Sequence, residues 1–335
     1  MGDQLLDFAF RAGWAVTRRV PESVGQRLME GAADGVWARR GAGVVRLEAN
    51  LRRAAPGSDD RQLRALSRRA LRSYFRYWHE VFRLPSWSRT RIAAMGVTVN
   101  IEPLRAAFET GSGVVVALPH MANWDLAGAW SCVNGMPVST VAQRLRPDAL
   151  FERFVGYRQR LGLEVVPLVA GSGPLTAMRR SLERGRLVCL LADRDITGGG
   201  LEVDLLGEPA RLPGGPAMLA RMTDAPLIAL TLSYAGPLLR FDFSQPIQNR
   251  PGRSGLAAMT QDVADHFSAG ILAHPADWHM LQDVFRAEVM NGGDSLSARG
   301  LPGPRLRSTV SVSIAPVAAD ARDAASLHTE TGQPR

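Results

Sequence analysis

The sequence predicts an α/β fold: a central mixed β-sheet flanked by helices, with a helical region ahead of it. Three observations point there. From Gly96 onward, short apolar or β-branched runs alternate with helix-length stretches, the pattern of strands covered by helices. Before Gly96, apolar residues recur at three- and four-residue spacing in segments dense in arginine, which is helical periodicity. The 335 residues are 46% hydrophobic, enough for the core of one large α/β domain or two ordinary ones.

Residues 4–19 place Leu5, Leu6, Phe8, Trp14 and Val16 beside Arg11, Arg18 and Arg19, a helix with a broad apolar face and a basic end that Pro21 breaks. Residues 22–54 continue helical. Pro56-Gly57-Ser58 reads as a loop, and Asp59 or Asp60 supplies a cap for the next helix. That helix, 60–83, repeats apolar residues from Leu63 to Phe82 along one face, with six arginines between Arg61 and Arg76 largely outside it. Strands are predicted at 97–101, 113–118, 138–142, 165–168, 187–191, 201–205, 227–234 and 238–243. Helices are predicted at 123–133, 148–162, 174–184, 213–222 and 255–273. The organisation is then an N-terminal helical region (1–58), an α/β domain (59–289), and a disordered tail (290–335) rich in Gly, Ser, Ala, Pro and Asp. No internal repeat is visible.

Every basic residue is an arginine, a bias that a GC-rich coding sequence produces without functional pressure. Where the charge lies is more telling. Residues 1–91 hold 18 Arg against nine Asp and Glu, a net +9, whereas the whole chain carries +8. The basic excess is therefore N-terminal, suited to an anionic surface. The start, Met1-Gly2-Asp3-Gln4, has no basic leader region, and no apolar run of about 18 residues exists, so no transmembrane helix is expected. Peripheral contact is predicted through residues 4–40, where Trp14 and Trp37 accompany Arg11, Arg18, Arg19, Arg39 and Arg40. For 60–83, an ordinary packed helix with a solvated arginine face is the simpler reading. Cys132 and Cys189 lie far apart in apolar runs, with no metal-type spacing, and read as buried inert thiols.

The chemistry is concentrated at 118–125, Leu-Pro-His-Met-Ala-Asn-Trp-Asp. His120 follows an apolar strand at the end where open α/β sheets bind ligands, and Asp125 falls in the first turn of the next helix. Folded back, Asp125 would hold one imidazole nitrogen and leave the other to take a proton from a hydroxyl. The pair alone recurs by chance; a strand-end histidine beside an ordinary helix-start acid is the bland alternative. Its context raises its weight: apolar strand, Pro, His, then Asn-Trp-Asp and a small-residue helix.

On these residues the chain resembles the lysophospholipid and lipid A late acyltransferase superfamily, whose signature is H-x4-D or H-x4-E. The resemblance runs from about residue 60 to 285. Val141-Ala142-Gln143-Arg144-Leu145, Leu191-Ala192-Asp193-Arg194-Asp195, and 203–211 ahead of Pro213-Gly214-Gly215-Pro216-Ala217 look like its later blocks. Within it, the Asp-Arg-Asp block and arginine-rich composition look most like actinobacterial phosphatidylinositol mannoside acyltransferases. That resemblance implies acyl-CoA as co-substrate with no bound cofactor, a membrane glycolipid acceptor acylated on a mannose hydroxyl, and residence on the cytoplasmic face of the plasma membrane. It also implies His120 and Asp125 as catalytic residues. With no Ser or Cys nucleophile beside His120, direct attack by the acceptor hydroxyl is simpler than an acyl-enzyme. At Gln143 the subfamily would place an acid, so this chain departs there.

Asp193, Arg194 and Asp195 follow another strand end, so one crevice can contain them and His120. They are candidates for holding acceptor hydroxyls or assisting His120, with a salt-bridge network nearly as good a reading. Arg158 is a candidate for a phosphate, against the alternative of a surface arginine. Gly198-Gly199-Gly200 lacks the context of a phosphate loop. His79, His266, His274 and His279 have no evident chemical role. A serine hydrolase would need a G-x-S-x-G elbow, which is absent. A nucleic-acid module would need aromatic platforms or a recognition motif, and none is found, so no nucleic acid is expected.

Overall fold

The computed structural model describes residues 19–143, 148–168, 174–195 and 198–285. The helix expected at 4–19 and the tail at 290–335 lie outside them, the helix but for its last residue. The chain opens with helices α1 (Glu22–Ala38), α2 (Ala42–Ala54) and α3 (Asp60–Arg83). The single helical stretch expected over 22–54 is two helices, separated at Arg39–Gly41 where Arg40 adopts φ 47°. Asp59 caps α3: its carboxylate accepts from Gln62 N at 2.7 Å, and the Gln62 side chain accepts from Asp59 N at 2.9 Å. Ala33 of α1, Val44, Leu47 and Leu51 of α2, and Leu63, Leu66, Leu71 and Phe75 of α3 form a small core of their own. The later part of α3, through Tyr77 and Val81, enters the main core.

The main core surrounds a seven-stranded mixed sheet. Its strands are β1 (Gly96–Val99), β2 (Val114–Leu118), β3 (Val138–Gln143), β4 (Glu164–Leu168), β5 (Leu187–Leu191), β8 (Leu227–Ala235) and β9 (Leu238–Phe243), in the order β1-β9-β8-β2-β5-β3-β4. The five from β8 to β4 are parallel. β9 runs antiparallel to β8, and β1 is parallel to β9. All five residues of β2 are buried, as a run of Val-Val-Val-Ala-Leu requires in a strand covered on both faces. A two-stranded hairpin of β6 (Leu201–Leu205) and β7 (Glu208–Leu212) stands apart from this sheet.

Helices α4 (Arg89–Ala94), α5 (Glu102–Glu109), α6 (Trp124–Val133), α7 (Asp148–Arg160), α8 (Pro174–Glu183), α9 (Gly215–Thr223) and α10 (Gly252–Ala273) complete the fold. Helix α10 lies close on β8 because Gly270 has no side chain: a Cβ there would come within 2.5 Å of Thr231 Oγ1. After α10, a 3-10 turn at Pro275–Asp277 redirects the chain past the end of β2. There Met121 and Trp278 form an isolated bridge, Ala122 N donates to Asp277 O at 2.8 Å, and His279 N donates to His120 O at 2.8 Å. The C-terminal segment thus straps down the turn that carries His120.

Candidate active site

His120 sits two residues beyond β2, the central strand, and Asp193 two residues beyond its neighbour β5. Parallel pairing of these strands brings the two together, and Ala192 N extends the ladder to Leu118 O at 2.9 Å. Asp193 is fully buried and receives three donors. His120 Nδ1 is 2.6 Å from Oδ1, while His120 N and Trp278 Nε1 donate to Oδ2 at 2.9 and 3.0 Å. Burial is the largest influence on this carboxyl and pushes its pKa up. The charge of His120 and the hydrogen bonds from His120 and Trp278 together outweigh it, holding Asp193 below the ordinary carboxylate range. An ionised Asp193 accepts from Nδ1–H, which leaves the lone pair on Nε2. Nε2 has no hydrogen-bond partner among the described residues, and the His120 side chain is 28% exposed.

The expectation that Asp125 orients His120 is corrected here. Asp125 is 1% exposed and accepts from Arg158 Nε at 2.7 Å and Tyr77 OH at 2.9 Å. As the second residue of α6 it lies below the turn, facing α3 and α7 and not the imidazole. Arg158 is corrected with it: neither a surface arginine nor open to a phosphate, it is committed to Asp125. Burial pushes the guanidinium pKa down, but Asp125 outweighs burial and leaves it raised. Burial, then Asp125, push the Tyr77 phenol well above its ordinary value, so it stays a donor.

Asp193 is likewise closed to an acceptor sugar, being occupied by His120 and Trp278. Asp195 accepts from Gly198 N at 3.1 Å and Gly200 N at 2.7 Å, stapling the glycine loop; a Cβ on Gly200 would meet Asp195 Oδ2 at 2.7 Å. Arg194 is partly buried and donates to the side chain of Gln282. Gln143 ends β3, and its side chain lies outside the described residues, as do residues 144–147, 169–173 and 196–197.

Several residues without an evident role in the sequence build the surroundings. The Asn123 side chain caps α6 by accepting from Leu126 N and anchors it by donating to buried Glu80 at 2.7 Å. Trp124 stacks on Tyr77 at 4.1 Å and meets the His120 ring edge-on at 5.3 Å. His279 Nε2 contacts Ser73 Oγ at 2.9 Å, and Ser73 donates to Asp277 at 2.6 Å. Burial, then His120, push the His279 pKa down to about 3, so this ring stays neutral. The one sequence signal for it was its place in Asp277-Trp278-His279, just beyond a helix-ending proline. Among the described residues, no group of three or more His, Cys, Asp or Glu is placed to hold a metal ion.

A parallel-stranded α/β core with a carboxylate-oriented histidine at its central strand end is a framework for general-base chemistry. The chain belongs to the bacterial lipid A biosynthesis acyltransferase family, whose profile matches residues 2–287, and is an acyltransferase that acts on a lipid. It is 39% identical over 295 residues to a phosphatidylinositol mannoside acyltransferase of Mycolicibacterium smegmatis (strain ATCC 700084 / mc(2)155), an overlap of 86% of this chain and 94% of that protein. It is 40% identical over 286 residues to proteins of the same name from Mycobacterium tuberculosis strains CDC 1551 / Oshkosh and ATCC 25618 / H37Rv, covering 84% of this chain and 89% of theirs.

Proposed function

We propose that the chain transfers a fatty acyl group from acyl-CoA to a mannose hydroxyl of a phosphatidylinositol mannoside, with His120 as general base and Asp193 as the carboxylate that orients it. The observation that carries the mechanism is the lock on His120: Nδ1 is held by a buried, acceptor-only carboxylate, so the lone pair is on Nε2. In the reaction, Nε2 takes the proton of the acceptor hydroxyl as its oxygen bonds to the thioester carbonyl carbon. The C–S bond then breaks, and the departing CoA thiolate recovers that proton from His120. Asp193 stabilises the imidazolium between the two steps without being protonated itself. The acceptor is inferred from the names of the mycobacterial relatives.

Attachment to the membrane is peripheral in this reading, on the cytosolic face where acyl-CoA is available. Among the described residues no helix is long and apolar enough to cross a membrane, and α1 exposes Val24, Leu28 and Val36. The test is mass spectrometry of lipids after incubation with acyl-CoA and extracted phosphatidylinositol mannosides. An added acyl chain on the glycolipid is expected, and His120→Ala should slow its appearance by about 10²–10⁴-fold. Near-normal turnover by a folded His120→Ala variant would end the mechanism. Acylation of other lipids in place of the mannoside would end the acceptor assignment.

A further inference from the structure

Away from His120, a cavity of about 250 Å³ lies between α1, α3 and the 275–277 turn. Arg69, Arg72 and Arg76 line it from one face of α3, with Glu30 of α1 opposite and His79 and Asp277 at its wall. Its hydrogen-bonding balance is one-sided. Both Asp277 oxygens are taken, by Ser73 Oγ at 2.6 Å and Tyr234 N at 2.9 Å. Both Asp34 oxygens are shared between Arg68 and Arg72, whose Nε atoms each donate at 2.8 Å. Arg76 is fixed as a wall: it donates to Glu80, Gly236 O and Pro237 O and lies 3.7 Å over the Tyr234 ring.

What remains is mostly donors. Arg69 has no hydrogen-bond or ion-pair partner among the described residues, and neither does Nη1 of Arg72. His79, 3% exposed, belongs to the wall, with its Nε2 packed against Gly25 of α1. Against them stands one carboxylate with spare acceptor capacity, Glu30, which accepts from Gln26 at 3.2 Å. Two guanidinium groups share Asp34, so one positive charge there is uncompensated, and Arg69 adds another. A sugar alone would need acceptors, of which only Glu30 has capacity to spare; a group made of acceptors fits the donor excess. The cavity is flanked by α1, whose outward face carries exposed Val24 and Leu28.

We propose that this cavity binds the phosphate of an anionic phospholipid headgroup, with Arg69 and Nη1 of Arg72 as its donors, apart from the acceptor that His120 deprotonates. It rests on this donor excess and not on the identity of the acylated lipid. The test is co-flotation of the full chain with phosphatidylcholine vesicles, with and without phosphatidylinositol, comparing wild type, Arg69→Gln and Arg61→Gln. Arg61 is exposed on the same helix and does not line the cavity, so it controls for the loss of one charge. Arg69→Gln should weaken binding to the phosphatidylinositol vesicles about tenfold, the loss of one charge-assisted hydrogen bond, and Arg61→Gln by about twofold or less. Soluble glycerophosphoinositol should compete for wild type and not for Arg69→Gln. Turnover on detergent-dispersed acceptor should be unchanged in Arg69→Gln.

Equal weakening by both substitutions would overturn the site in favour of diffuse surface charge. Binding of glycerophosphoinositol that Arg69→Gln abolishes, with vesicle binding unchanged by Arg69→Gln, would overturn the lipid as source and leave a soluble phosphate. A parallel loss of detergent turnover would make the cavity part of the acceptor site and overturn its independence. A wild-type melting temperature for Arg69→Gln checks that the fold is intact.

Discussion

Asp193 holds the His120 imidazole itself, and this sets it apart from Asp125, whose donors are Arg158 and Tyr77. An amide at 193 would turn its NH2 toward one of His120 N, His120 Nδ1–H or Trp278 Nε1–H. Asp193→Asn is therefore expected to lower kcat by at least about 10²-fold and to change the pH dependence of turnover. Asp125→Asn should act through stability, because it strands the buried Arg158 at a cost of about 3–5 kcal/mol. Adding Arg158→Gln should recover much of that loss and of the activity. A folded, stable Asp125→Asn enzyme with kcat down 10²-fold would return the catalytic role to Asp125. His120 was legible because its neighbours, strand, proline and helix start, are local. Asp193 was legible as a strand-end group sharing a crevice with His120, but not as the carboxylate on Nδ1: it is 73 residues away, and only the adjacency of β2 and β5 joins them. His279 makes a second residue-scale prediction. Its folded pKa of about 3 lies below the value of about 6.5 for a free histidine, so the unfolded chain binds the extra proton between those limits. Stability should fall as pH drops through that window, by up to about 1.4 kcal/mol per pH unit from this group. His279→Gln should flatten that slope in urea titrations between about pH 6 and 4; an unchanged slope would mean His279 is protonated in the fold.

The turn from β2 into α6 holds its shape against a local preference. Ala122 has φ 45° and is fully buried, a left-handed conformation costly for any residue with a Cβ. Its N–H to Asp277 O, the His279–His120 bond and the Asn123 contact with Glu80 together impose it. A β-branched side chain is still less tolerant, so Ala122→Val should destabilise by about 2 kcal/mol or more and loosen His120. Wild-type urea midpoint and activity for Ala122→Val would show that the turn is not strained. Element legibility followed length and pattern. The long α3 and the continuous apolar β2 were readable, whereas α4 and α5 span six and eight residues, too short for a three-four rhythm to repeat. Strand β7, Glu-Pro-Ala-Arg-Leu, has no apolar run, and its pairing with β6 decides its conformation.

For the molecule as a whole, the α/β class was legible because the strands of the main sheet bring short apolar, β-branched or alternating runs of their own, whereas strand order depends on contacts no local window contains. Placement at the membrane belongs to this scale, since in the proposed reaction His120 must meet a lipid. Helix α1 exposes Val24 and Leu28 one turn apart on one outward face, with Leu28 62% exposed. These positions have no place in the core, since the inward face of α1 already packs Ala33 and Met29 against α2 and α3. Two forces would then hold the surface: apolar insertion of this pair, and attraction of the N-terminal arginines to anionic lipid. They separate by salt. Raising ionic strength from about 0.1 to about 1 M shortens the screening length from about 10 to about 3 Å and removes most of the second. Wild-type protein should therefore keep a salt-resistant affinity for phosphatidylglycerol vesicles. The double change Val24→Ser and Leu28→Ser should weaken that remainder about tenfold, if roughly half of each side chain enters the bilayer, while leaving much of the low-salt binding. Equal flotation of variant and wild type at high salt would show that the pair does not enter the membrane.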